Sequence, residues 1–228
     1  ILWDRHLHLP DSQYSSLSHL QDRVLLASLL PAPVLVIRSP TGLDLSKIQT
    51  VLQQLGYQPD MLLYADNMLS AQSMITEHLP NLILYHAATT SEISVIRPLK
   101  QQSLDTPVIA ILNTHSTALI YSALLSGADS YMQHHDSLPQ FADSLKTVLR
   151  GGAYIHTELA DYLLHQPSVK ACLNFAELQL LQVMSQHKSQ TERQNQLQMK
   201  DYQMYSRVKY IYRKLIRLSL NSSIVCSK

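Results

Sequence analysis

The stretch from Lys200 to Arg217, KDYQMYSRVKYIYRKLIR, holds the residues best suited to a chemical task. Arg207, Lys209, Arg213, Lys214 and Arg217 are interleaved there with Tyr205, Tyr210 and Tyr212. From His187 to Arg217, eight Lys/Arg stand against Glu192 and Asp201, a local charge of +6 in a chain of formal net charge +1. Cations pair with phosphates, and polar side chains on a helix reach base edges in the major groove of DNA. The same pattern also describes a solvated basic helix or a surface for an acidic partner.

Any of these uses requires a helix. Met204, Val208, Ile211 and Leu215 fall at spacings of four, three and four, one apolar stripe of helical period. Upstream, Asn174 and Glu177 form a capping-box pair, so a helix begins at Phe175 and runs inward through Leu178 and Leu181. Residues 186–190 read as a turn, Thr191 to Leu197 as a short helix, and a second turn falls near Met199. Helix, short helix, tight turn and basic helix is a helix-turn-helix layout. Before it, Gly151 to His165 reads as one more short helix and Gln166 to Ala171 as a linker.

Residues 31–150 follow a different pattern. Short apolar runs at Val34 to Ile37, Met61 to Tyr64, Leu82 to Tyr85, Val108 to Leu112 and Tyr131–Met132 read as five buried strands. Helical faces separate or follow them: Leu45 to Leu55, Ala71 to Leu79, Ser91 to Gln102, Thr117 to Leu125 and Leu138 to Leu149. This alternation implies a doubly wound parallel sheet, giving an α/β unit followed by an all-α one. The first unit holds six Lys/Arg and nine Asp/Glu, a charge of −3, opposite in sign to the C-terminal unit. Residues 1–30 read as an added segment with a short helical stripe at Leu17, Leu20, Val24 and Leu25.

Composition excludes several classes. At 46% hydrophobic and 15% charged, the 228 residues supply a real core and are not a disordered chain. Cys172 and Cys226 make no disulfide framework and have no metal-ligand company, which suits the cytoplasm. The longest apolar run, Val24 to Ile37, is too short to span a bilayer and contains Pro31 and Pro33. No secretory signal is expected at the start of the sequence. With five glycines there is no glycine-rich phosphate loop, and no nucleophile elbow or paired acid and base appears, so no enzyme is expected.

Two stretches carry a family resemblance. GADSYM at Gly127 to Met132, with the helix that ends VLRGGAYI, resembles the end of a response-regulator receiver domain. The stretch LNFAELQLL … YSRVKYIYRKL resembles the four-helix DNA-binding domain of the LuxR/NarL class, through Leu173, Asn174, Glu177, Val208, Ile211, Lys214 and Leu215. The join VLRGGAYIHTELADYLLHQ is similar to the CsgD/VpsT branch, the biofilm-matrix regulators. The resemblance divides the chain into an extension (1–30), a receiver-like domain (31–150), a helix with linker (151–172) and a DNA-binding domain (173–228). It implies a transcription regulator, dimeric on double-stranded DNA, acting on biofilm or surface-structure genes. Carried over, Tyr205, Ser206 and Lys209 would face the groove, with Lys200, Arg207, Arg213 and Lys214 near phosphates. A signalling adaptor that has lost DNA binding is the alternative.

The departures are specific. The place of the phosphorylated aspartate is His86, the acidic pair is Arg38 and Ser39, and the lysine after the fifth strand is Gln133 or His134. Without carboxylates for Mg²⁺ or that lysine for the phosphoryl oxygens, control independent of Asp phosphorylation is expected. His86, His134 and His135 are taken to fill the vacated pocket, with no metal. In the short helix, Arg193–Gln194 stands where the family has Ile-Ala, so Arg193 must snorkel or the helix must rotate. In the VpsT-like branch a W-[FLM]-[TS]-R motif binds cyclic di-GMP; the matching residues are Tyr154, Ile155, His156 and Thr157, which lack the arginine. Tight cyclic di-GMP binding is therefore not expected, and no other cofactor is implied.

Overall fold

The computed structural model describes residues 33–38, 45–103, 105–113 and 116–225, and for 220–225 the backbone alone. The expected extension over residues 1–30 and Ser39 lie outside the described residues.

Five strands form one parallel sheet: β1 (Val34–Ile37), β2 (Leu62–Ala65), β3 (Leu82–Ala87), β4 (Val108–Leu112) and β5 (Ser130–Gln133), in the order β2-β1-β3-β4-β5. Val34 pairs with Leu62 on one side and Leu82 on the other. The inner strands read as unbroken apolar runs because both sheet faces are covered. Alternate residues divide between two cores. Val34 and Val36 join Ile48, Leu52, Phe141 and Leu145 of α1 (Leu45–Gln54) and α6 (Leu138–Leu149) on one face. Leu35 and Ile37 face the other core, under α2 (Met68–His78), α3 (Thr90–Ser94), α4 (Ile96–Gln102) and α5 (Thr117–Leu125).

Local chemistry sets the boundaries. Asn67, Ser116 and Ser137 cap α2, α5 and α6 by accepting a backbone N–H three residues on. Gly56 takes φ 95° just beyond α1, where left-handed backbone ends a helix. Strand β2 starts one residue later than the sequence implies, because Pro59–Met61 forms a 3₁₀ turn. The helix expected over Ser91 to Gln102 is two helices, broken at Val95. Pro98 explains the break: it has no N–H to give the Ser94 carbonyl, and its ring crowds that carbonyl.

The C-terminal part is helical: α7 (Thr157–His165), α8 (Pro167–Cys172), α9 (Phe175–Met184), α10 (Gln190–Leu197) and α11 (Asp201–Val225). The expected helix over 151–165 begins only at Thr157, after an extended join. The expected linker at 166–171 is instead α8. Pro167 opens it where the missing N–H costs nothing, and Val169 is buried. The unit expected to hold four helices over 173–228 holds three among the described residues, α9 to α11. Its last member runs unbroken for 25 residues, past the expected end at Arg217. The apolar side of this unit is continuous with the sheet core. Ile120, Ala123 and Tyr131 share one cluster with Leu159, Leu180, Met204, Val208 and Ile211. Among the described residues no helix is long and apolar enough to cross a membrane.

Candidate nucleic-acid interface

Helix α11 has a buried seam and an open back. Met204, Val208, Ile211, Tyr212 and Leu215 are fully buried, one residue more than the four-residue stripe. Gln203, Ser206, Arg207, Tyr210, Arg213 and Arg217 are exposed on the opposite side. Two further residues flank the seam. The Tyr205 ring stacks on Tyr154 (centroids 6.1 Å, 27°), and burial pushes its phenol up to about 12. Lys209 is half-buried close to the Lys100–Asp129 ion pair (2.6 Å). Desolvation holds its ammonium below the usual lysine range, against the favourable charge of Asp129.

The seven residues assigned to DNA contact therefore separate. Lys200, Ser206, Arg207 and Arg213 are exposed. Tyr205 and Lys214 are held by contacts within the molecule, and Lys209 is half-buried. Lys214 reaches the Glu177 carboxylate at 2.7 Å, where Glu177 also closes the capping box of α9. The hydrogen bond to Glu177 raises its pKa, and its amine lies 5.1 Å from the Tyr210 ring centroid. Arg217, Tyr202 and Tyr210 belong to the open surface although family spacing does not single them out. Their exposure depends on which side of α11 the sheet domain covers.

That covering is close. The Ala153 N–H donates to the Tyr205 carbonyl (3.0 Å), and the Tyr212 hydroxyl donates to the Tyr154 carbonyl (2.8 Å). A Cβ on Gly152 would lie 3.0 Å from the Tyr205 Cβ, so glycine is what lets join and helix approach. Further along α11, the Ser219 hydroxyl lies within donating distance of the Leu125 carbonyl (3.0 Å) and of the Ile216 carbonyl in its own helix (2.8 Å), and Arg97 reaches Ser219 Oγ (3.4 Å).

The four residues at the second-messenger position are all engaged. Tyr154 packs between Tyr205 and His156, and Ile155 is core. The His156 Nδ1 lies 3.0 Å from the Tyr131 hydroxyl and its Nε2 3.3 Å from Asp136 Oδ1. Thr157 opens α7, with its Oγ1 3.5 Å from Arg193 Nη2. Arg193 snorkels as required: its guanidinium also reaches the Gln186 carbonyl (3.3 Å) and Met184 Sδ (3.9 Å).

At the strand ends His86 is buried, and desolvation lowers its pKa. Arg38 pairs with Asp66. Lys47, which the sequence does not flag, donates to the carbonyls of His134 (2.8 Å) and Asp136. It comes from α1, 87 positions before His134, so no local spacing could have revealed it. Among the described residues no group of three or more His, Cys, Asp or Glu is placed to hold a metal ion.

No family model and no curated protein matches the chain. Some solved structures do. The RcsB response regulator of Salmonella typhimurium, described for conformational dynamism in DNA interaction, is 13% identical. The match covers 84% of this chain and 98% of that one, with a TM-score of 0.49. A LuxR family DNA-binding response regulator from Silicibacter pomeroyi is 20% identical over 54% of this chain and 96% of its own, TM-score 0.41. RcsB from Salmonella enterica serovar Typhimurium bound to the rprA promoter is 11% identical over 82% and 98%, TM-score 0.45.

Proposed function

We propose that the chain is a DNA-binding transcription regulator that works without phosphorylation of an aspartate. The observation that carries this reading is the open side of α11. Arg207, Arg213 and Arg217 project there with Ser206, Lys200 stands exposed just before the helix, and the whole is seated on a helix-turn-helix layout. Those four cations suit phosphates, and a homodimer would present two such faces. The sheet domain supplies rigid support and a dimer surface. Among the described residues its strand ends hold His86, Arg38 and Lys47, with no group of three or more His, Cys, Asp or Glu placed for a metal ion. The resemblance of the join suggests biofilm or surface-structure genes as targets, and a cytoplasmic site of action. Cyclic di-GMP has no part in this reading: no Lys or Arg lies between Gly151 and Gln166, and the aromatic at the matching position is stacked inside the molecule.

Titration of duplex DNA at several salt concentrations tests the proposal. Four phosphate contacts per chain give a log–log slope of roughly −3 to −4 for a single chain and about −7 for the homodimer. A slope near zero, or no binding at low salt, favours the adaptor, a reading that the covering of Tyr205 and Lys209 also supports.

A further inference from the structure

Among the described residues few aromatic side chains are exposed, and two of them share the basic side of α11. Tyr202 is 64% exposed and Tyr210 52%. At eight residues apart they lie about 12 Å from each other along the helix axis. Ser206 lies midway, and Arg213 and Arg217 continue the same side. One ring face of Tyr210 is occupied by the Lys214 amine, whose charge Glu177 already compensates. The other flank of α11, with Tyr205 and Lys209, is packed against the join and the sheet domain.

Duplex DNA offers phosphates and groove edges but keeps its base faces stacked. Open tyrosine rings set among arginines match a different ligand, one with free base faces and a flexible anionic backbone. We propose that, in the arrangement described, the open side of α11 binds single-stranded nucleic acid, with Tyr202 and Tyr210 stacking on bases and Arg207, Arg213 and Arg217 following the backbone. The proposal rests on the reading that this basic side meets nucleic acid, and adds which strand form it prefers. Stacking tolerates any base, so little sequence preference is expected.

The test is fluorescence anisotropy of the full chain with a labelled single-stranded DNA of about twelve nucleotides, a length within the site sizes of such proteins. The same sequence is measured as a duplex at the same salt. The single strand is expected to bind at least about fivefold more tightly than the non-operator duplex. Tyr202→Ala and Tyr210→Ala should each weaken single-strand binding by about five- to 150-fold, the range for loss of one stacked base, and change duplex binding by less than about twofold. Both tyrosines are exposed, so neither substitution empties the core. Tighter duplex binding, or equal losses on both DNAs from the tyrosine substitutions, overturns the strand preference and leaves the duplex reading standing. Absence of binding to either DNA overturns both.

Discussion

At the scale of single residues, burial separates charges that look equivalent in the sequence. Lys209 and Arg213 are four positions apart on one helix, yet Lys209 loses hydration against Lys100 and Asp129 while Arg213 stays in solvent. Arg213→Ala should therefore weaken duplex binding for every sequence and lower the salt slope by about one, whereas Lys209→Ala should leave the slope unchanged. Equal slope changes in the two variants would mean that the sheet domain leaves α11 when DNA binds. Asp136 gives a second, pH-dependent prediction. Burial works against its charged form, but the His156 ring and the Gln133 N–H (2.9 Å) outweigh burial and hold its pKa below the usual carboxylate range. A depressed folded-state value contributes stability above the unfolded pKa of about 4, lost as pH falls through the folded value. Melting temperatures of the chain and of Asp136→Asn, followed by circular dichroism, should differ at neutral pH and converge below pH of about 4. A constant gap down to the lowest pH would remove the charge from the explanation.

At the scale of elements, the strand ends make the clearest prediction. With His86 buried in β3 and Lys47 donating to two loop carbonyls, the described strand ends bring together no group of three or more His, Cys, Asp or Glu for a metal ion, so no phosphoryl transfer through Mg²⁺ is expected. Incubation with acetyl phosphate and Mg²⁺ should leave the intact mass unchanged; a stoichiometric adduct labile to hydroxylamine would contradict this. The elements themselves were largely legible. Strand runs such as Val108–Leu112 and the cap at Asn174 are local signals, and they appear where the sequence puts them. Two misreadings have local causes. Pro98 breaks a helix that apolar spacing alone makes continuous, and Pro167 starts one where composition suggests a linker. The surface of α11 was less legible, for a different reason. Periodicity defines the seam at Met204, Val208, Ile211 and Leu215, but not which flank a distant join will cover. The resemblance puts Tyr205 at a groove, whereas its ring stacks on Tyr154, 51 positions away in sequence and beyond the reach of any helical pattern.

At the scale of the molecule, the sheet domain and the helical unit share one apolar cluster, so they should unfold together. Tyr212→Phe probes the shared boundary, because it removes the hydroxyl that satisfies the Tyr154 carbonyl. Leaving a buried acceptor unpaired costs about 1–3 kcal/mol. For a chain of this size that is roughly 2–12 °C in Tm. Calorimetry should show one transition in both proteins, shifted down in the variant; two transitions in the parent chain would mean that the units fold separately. The long α11 has a mechanical side as well. It is pinned at Tyr205, against Ala153, and again at Ser219, against Leu125. The two pins are fourteen residues apart, about 21 Å. The span between them carries Arg207, Tyr210, Arg213 and Arg217 on its open side and is tied once more at Tyr212, against Tyr154, so this stretch behaves as a beam clamped along one edge. Anything that grips the span is held at a fixed bearing to the sheet, and tilting the beam at either pin re-aims the whole row of side chains together.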